Sequence, residues 1–154
     1  MVWMLVAVIA LLVMVGVLRA LSEAGVKHPD PPGMRTIANF QAPEFEKREA
    51  AKDENPQSWG EPLLKEVLAS VGQPFKVSTE YSRSYGHAAI VEAKDKKFTV
   101  MVGFVNENEG WLLFVNGKQE LSPLPEAEES RALLRQVHAA LAKMNGISDV
   151  RWSD

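Results

Sequence analysis

Hydrophobic and polar positions fall into three regimes along this chain. From Met1 to Leu18 only Gly16 lies outside the hydrophobic set. As a helix rising roughly 1.5 Å per residue this run spans about 27 Å, close to the roughly 30 Å of hydrocarbon in a bilayer. Leu21 extends its apolar face by one turn. The expectation is a transmembrane helix over residues 1–21, a signal anchor whose partner is the lipid bilayer. Ser22-Glu23-Ala24 would suit a signal peptidase, but there is no basic n-region and the run exceeds the usual h-region of about 7 to 15 residues, which favours retention over cleavage. A helix apolar on every side could otherwise be buried only in a large protein.

The second regime, residues 22–58, alternates proline with charge. Pro29, Pro31, Pro32, Pro43 and Pro56 are spread through it, around the charged stretch EFEKREAAKDEN. Proline fixes φ and removes a backbone donor, so the reading is a Pro-rich charged linker without a long helix or a central strand. Pro29 to Pro32 would be extended, at about 3.1 Å per residue. Glu44 to Lys52 suits two helical turns, with Phe40 and Phe45 docking either on a partner or back on the parent domain.

The third regime, residues 59–154, is regular. Leu63, Leu64, Val67, Leu68 and Val71 fall at helical spacing, with Pro62 in the first turn and Gly72 as a stop. FKVSTEYS then alternates, placing Phe75, Val77, Thr79 and Tyr81 on one side of a strand. HAAIVEA, KFTVMVGFV and WLLFV continue an antiparallel meander through short polar loops. Asn116-Gly117 suggests a hairpin with a short returning strand at 118–121. A long helix over Pro125 to Met144 carries Leu133, Leu134, Val137, Ala140 and Leu141 on one stripe, with carboxylates in its first turn and Asn145-Gly146 after its end. Ile147 to Trp152 reads as a terminal strand. Four to six strands with two helices predict an α+β fold, a two-layer sandwich behind a tether and an anchor.

Composition changes little in this picture. The 154 residues carry a net charge of -3 and no cysteine, which excludes disulfide scaffolds and cysteine-based metal or redox sites. From Pro56 onward 11 basic residues face 13 acidic ones, so no net basic face invites nucleic acid. Charge does bear on orientation. Arg19, Lys27 and Arg35 follow the apolar run and no charged side chain precedes it, which predicts an inner or plasma membrane protein with its N-terminus outside and its domain cytoplasmic. The alternative has the domain on the outer side.

Candidate chemistry is sparse. His28, His87 and His138 are far apart and no Gly-x-Ser-x-Gly elbow is present, so no catalytic residue, cofactor or metal ligand is assigned. His138 belongs at the edge of the long helix's buried stripe. NENEG, Asn106 to Gly110, lacks EF-hand spacing and reads as a solvated turn. The polar run Tyr81 to His87 suits a hairpin connection, where Arg83, Tyr85 and His87 could hold an anion or a partner's carboxylate.

One feature outweighs these motifs. Phe98, Val100, Val102 and Phe104 share one face of their strand, while Met101 and Val105, with Leu112 and Phe114 from the next strand, occupy the other. Helices on one face alone would leave the second with an apolar centre, the signature of a partner or dimer contact. The expected function is non-enzymatic: a single-pass membrane-anchored interaction protein that binds a protein partner or self-associates through Met101, Val105, Leu112 and Phe114, with Arg83 and Tyr85 at the rim. Alternatives are an immunity-type protein neutralising a toxin at the membrane, and a small-ligand sensor or enzyme using the 83–87 loop.

Overall fold

A computed structural model describes residues 34–52 and 55–154. The expected transmembrane helix and the Pro29–Pro32 tether lie outside the described residues. No helix among the described residues is long and apolar enough to cross a membrane.

The sheet begins inside the region read as a linker. Residues 33–42 contain no proline, and within them Ala38 and Phe40 alternate with Ile37, Asn39 and Gln41. β1 (Ile37–Gln41) follows that alternation and lies between β5 (Gly110–Asn116) and β6 (Ser148–Ser153), antiparallel to both. This corrects the reading of 22–58 as a linker without a central strand. Pro32 and Pro43 bracket the strand instead of interrupting it, so the ladder loses no donor. Pro43 then opens α1 (Pro43–Ala50), where a missing N–H is harmless. Phe40 and Phe45 are both buried in the parent core.

A single 3-10 turn, Pro56–Ser58, leads into α2 (Glu61–Ala69), which buries Leu63, Leu64, Val67 and Leu68. β2 (Lys76–Arg83), β3 (Gly86–Ala93), β4 (Lys96–Asn106) and β5 form the expected meander. α3 (Glu128–Lys143) and β6 complete the chain. The fold is α+β, a six-stranded antiparallel sheet in the order β2-β3-β4-β5-β1-β6. It carries three helices among the described residues where two were expected, because α1 belongs to the domain.

All three helices contribute to one cluster on one face of the sheet, where Phe45, Leu64, Val67 and Leu134 meet Phe40, Val91, Val100 and Leu113. Each such side chain, fully buried, contributes roughly 1.5–3 kcal/mol. Trp59, Phe104 and Trp111 pack in series, with ring centroids 5.0 and 5.2 Å apart. The Trp152 indole donates to Nδ1 of His138 at 3.0 Å, joining the last strand to α3.

Two local expectations fail for identifiable reasons. Residues 118–121 form a turn, not a returning strand. Gly117 N–H donates to the Ser122 carbonyl at 3.0 Å, the Ser122 hydroxyl donates to the Gln119 carbonyl at 2.6 Å, and Leu121 adopts a left-handed φ of 60°. These bonds close a compact loop before any strand can form. In β2 the register against β3 shifts between Val77 and Thr79, so Val77 opposes Val91 on the helix side while Thr79 opposes Ile90 on the other. The bulge breaks the alternation that would have put both on one side.

Candidate functional site

The sheet face away from the helices is built from cross-strand register. Residues directly opposite on neighbouring strands share a face. One row runs across the whole sheet: Tyr81 of β2 opposes Ala88, Ala88 opposes Met101, Met101 opposes Phe114, and Phe114 opposes Ile37, which opposes Ser153. Five of its six members carry apolar bodies. Ala88 is fully buried between larger neighbours and Met101 is 6% exposed, while Tyr81, Phe114 and Ile37 are half-buried. The amide of Asn116 contacts the Met101 sulfur at 3.4 Å. Leu112 lies in the next row, opposite Gly103 and Asn39. Val105 lies beyond both rows, at a register shift near the end of β4, and is exposed. Among the described residues, no helix covers this face.

Register thus places Met101 and Phe114 side by side, sets Leu112 next to them and separates Val105. Arg83 and Tyr85 flank the same face where β2 turns into β3. A residue the sequence reading did not single out joins them. Glu120 accepts from Arg83 Nε at 2.8 Å through one carboxylate oxygen and from the Tyr85 hydroxyl through the other. Arg83 also lies over the Tyr81 ring, 4.8 Å from its centroid. The 117–122 loop carries Glu120 there, fixed to the sheet by the Thr99 N–H bond to the Gly117 carbonyl at 3.0 Å. A carboxylate in a turn has no local signature tying it to an arginine in another hairpin.

Electrostatics follow from this clustering. The Tyr85 hydroxyl, with Arg83 behind it, holds the Glu120 carboxyl below its ordinary range despite partial burial. In return Glu120 raises Tyr85 and Arg83. Burial, reinforced by Glu120, pushes the Tyr81 hydroxyl up to about 12. The cluster therefore keeps its charges, an arginine cation against a glutamate anion with two neutral phenols, over most of the pH scale.

Between this cluster and the sheet lies a cavity of about 650 Å³, lined by Thr79, Tyr81, Ser82 and Arg83 of β2, Ile90, Thr99 and residues 118–120. Such a volume suits a short segment or a small ligand. His87 takes no part in it. His87 opposes Val102, a core residue, and its Nδ1 lies 3.1 Å from the Ser82 hydroxyl; the ring is buried. The expected grouping of Arg83, Tyr85 and His87 around one anion is therefore split by the sheet, and the Arg83 charge is already matched by Glu120. A second, polar cavity of about 420 Å³ lies at the β6 end, between Asn39, Gln41, Asn108, Glu109, Asp149 and Arg151. Among the described residues, no group of three or more histidines and carboxylates is placed to hold a metal ion.

Comparison with protein-family models, with curated proteins and with solved structures gives no match.

Proposed function

We propose that the chain is a non-enzymatic, single-pass membrane-anchored interaction protein. Its anchor is residues 1–21, its α+β domain is cytoplasmic, and the domain binds a protein partner through the helix-free sheet face. The observation that carries this reading is the row from Tyr81 through Ala88, Met101 and Phe114 to Ile37, an apolar band across five strands with no helix over it among the described residues. Its half-buried members, Tyr81, Phe114 and Ile37, present the apolar surface that association would remove from water, with Ala88 and Met101 buried between them. Arg83, Tyr85 and Glu120 rim it on one side, and Leu112 widens it.

Site-specific photo-crosslinking in native membranes tests the reading. A benzoylphenylalanine at position 114 is expected to give a discrete protein adduct, whereas one at the exposed Glu66 of α2, on the helix side, is expected to give none. An adduct of twice the chain's mass would identify a second copy as the partner. A folded full-length chain with no adduct from position 114 overturns the proposal.

A further inference from the structure

We infer that the free edge of β2 and the adjoining cavity receive an extended, acidic segment of the protein partner, added to the sheet as a further strand. The inference rests on the proposed interaction function and specifies the partner's chemistry. Three observations converge on this edge.

The first is the backbone. Among the described residues, sheet order leaves β2 with a neighbour on one side only, and every β2 residue but Tyr81 is exposed. Beyond the shift between Val77 and Thr79, residues Thr79 to Arg83 run in unbroken register against β3, so five consecutive residues present a regular, unpaired edge. An extended peptide can satisfy those donors and acceptors, and main-chain bonding of this kind supplies affinity while pockets for alternate side chains supply selectivity. The opposite edge is a poorer template, because β6 keeps register with β1 only from Ile37 to Asn39 and Asp149 has a φ of 55°. The bulge at Val77 also disfavours full-length pairing of β2 with a second copy of itself.

The second observation is charge. Arg83, Lys118 and Glu120 all line the cavity. Arg83 is matched by Glu120, whereas the Lys118 ammonium has no carboxylate partner among the described residues. On the cavity side of the sheet one cation is therefore left for a carboxylate on the incoming segment, while Glu80 of β2 lies on the helix side, opposite Ala89.

The third is exposed apolar surface. Of the four large hydrophobics that are exposed among the described residues, Val77 lies on β2, Tyr85 in the turn that follows it, and Leu121, 78% exposed, next to Glu120. Leu121 holds a left-handed φ of 60°, a conformation that disfavours leucine and suits asparagine. A leucine placed there faces water with no packing role to offset that conformation, as a contact residue would.

The test uses the full-length chain in detergent micelles and a fluorescein-labelled, end-blocked heptapeptide of alternating valine and glutamate, followed by fluorescence anisotropy. Saturable binding is expected, weakened about tenfold by Lys118→Glu, since one charge-assisted contact is removed and a like charge introduced. Leu121→Asn is expected to weaken binding about threefold or more while the melting temperature holds or rises, which separates contact from folding. N-methylating one alternate set of peptide amides should abolish binding and methylating the other should not, because only one set faces the sheet. Equal tolerance of both methylated sets, equally tight binding of a valine–lysine peptide, or no saturation at millimolar peptide would each overturn the inference. Crosslinks from position 114 together with absent peptide binding would defeat strand addition and leave the interaction function standing. Absence of those crosslinks defeats the interaction function whatever the peptide does.

Discussion

Arg83 and Glu120 stand 37 positions apart in the chain and 2.8 Å apart in the fold. One lies at the end of an edge strand and the other in a loop where the Asn116-Gly117 motif predicts a returning strand. Their meeting, with the Tyr85 hydroxyl on the second carboxylate oxygen, fixes the rim of the helix-free face.

The two tyrosines of the chain both belong to this cluster, so absorbance at 295 nm reads it without labels. Both phenols are expected to ionise above the ordinary 10.0, Tyr81 at about 12. In Glu120→Gln, Tyr85 should return towards 10.0, since Glu120 is its main perturbation, whereas Tyr81 should fall only part of the way because burial dominates its shift. Two superimposable titrations for wild type and variant would refute the described geometry.

Acid should weaken the same cluster. The Glu120 carboxyl has a folded pKa below its ordinary 4.5, so its stabilisation is fully present above that value and is lost as pH falls through the folded pKa. Arg83 is half-exposed, so water screens the ion pair and its contribution is small. Chemical denaturation between pH 6 and about pH 3 should show a steeper decline for wild type than for Glu120→Gln. Parallel curves would leave the pair without a thermodynamic role.

Phe40 distinguishes a domain strand from a tether. Its ring is fully buried, and Phe40→Ala is expected to cost about 3–5 kcal/mol of unfolding free energy. A linker residue would cost nothing measurable. The full-length variant compared with wild type by urea titration decides between the two.

Gly110 opens β5 with a φ of +76°, and a Cβ there would meet the Phe40 carbonyl oxygen on β1. Gly110→Ala therefore combines a disfavoured backbone conformation with a backbone clash. A loss of roughly 1–3 kcal/mol is expected, with faster hydrogen exchange in β1 than in β3. Wild-type protection throughout β1 would contradict the close approach.

Trp152→Phe removes the donor to His138 but keeps most of the ring volume. Losing this buried hydrogen bond should cost about 0.5–1.5 kcal/mol. Thermal unfolding measures it, and an unchanged midpoint would mean that the bond contributes nothing.

Periodicity alone determined much of this protein. The apolar faces of α2 and α3, the meander from β2 to β5 and the terminal strand were all legible from local period and turn residues, and all but the exposed edge strand β2 bury the stripe that period sets. The second apolar face of the sheet was legible too, since Met101, Leu112 and Phe114 alternate with core residues along β4 and β5. What the sequence left undecided depends on distant partners. β1 is five residues between two prolines, too short to distinguish from a tether until β5 and β6 close on either side of it. The bulge in β2 moves Thr79 away from the side of Val77 through its pairing with β3, which no reading of β2 by itself contains. Glu120 acquires its role only when hydrogen bonds closing the 117–122 loop carry it to Arg83 and Tyr85. Local spacing fixes which way a side chain faces within its own element, and tertiary packing decides what it finds there.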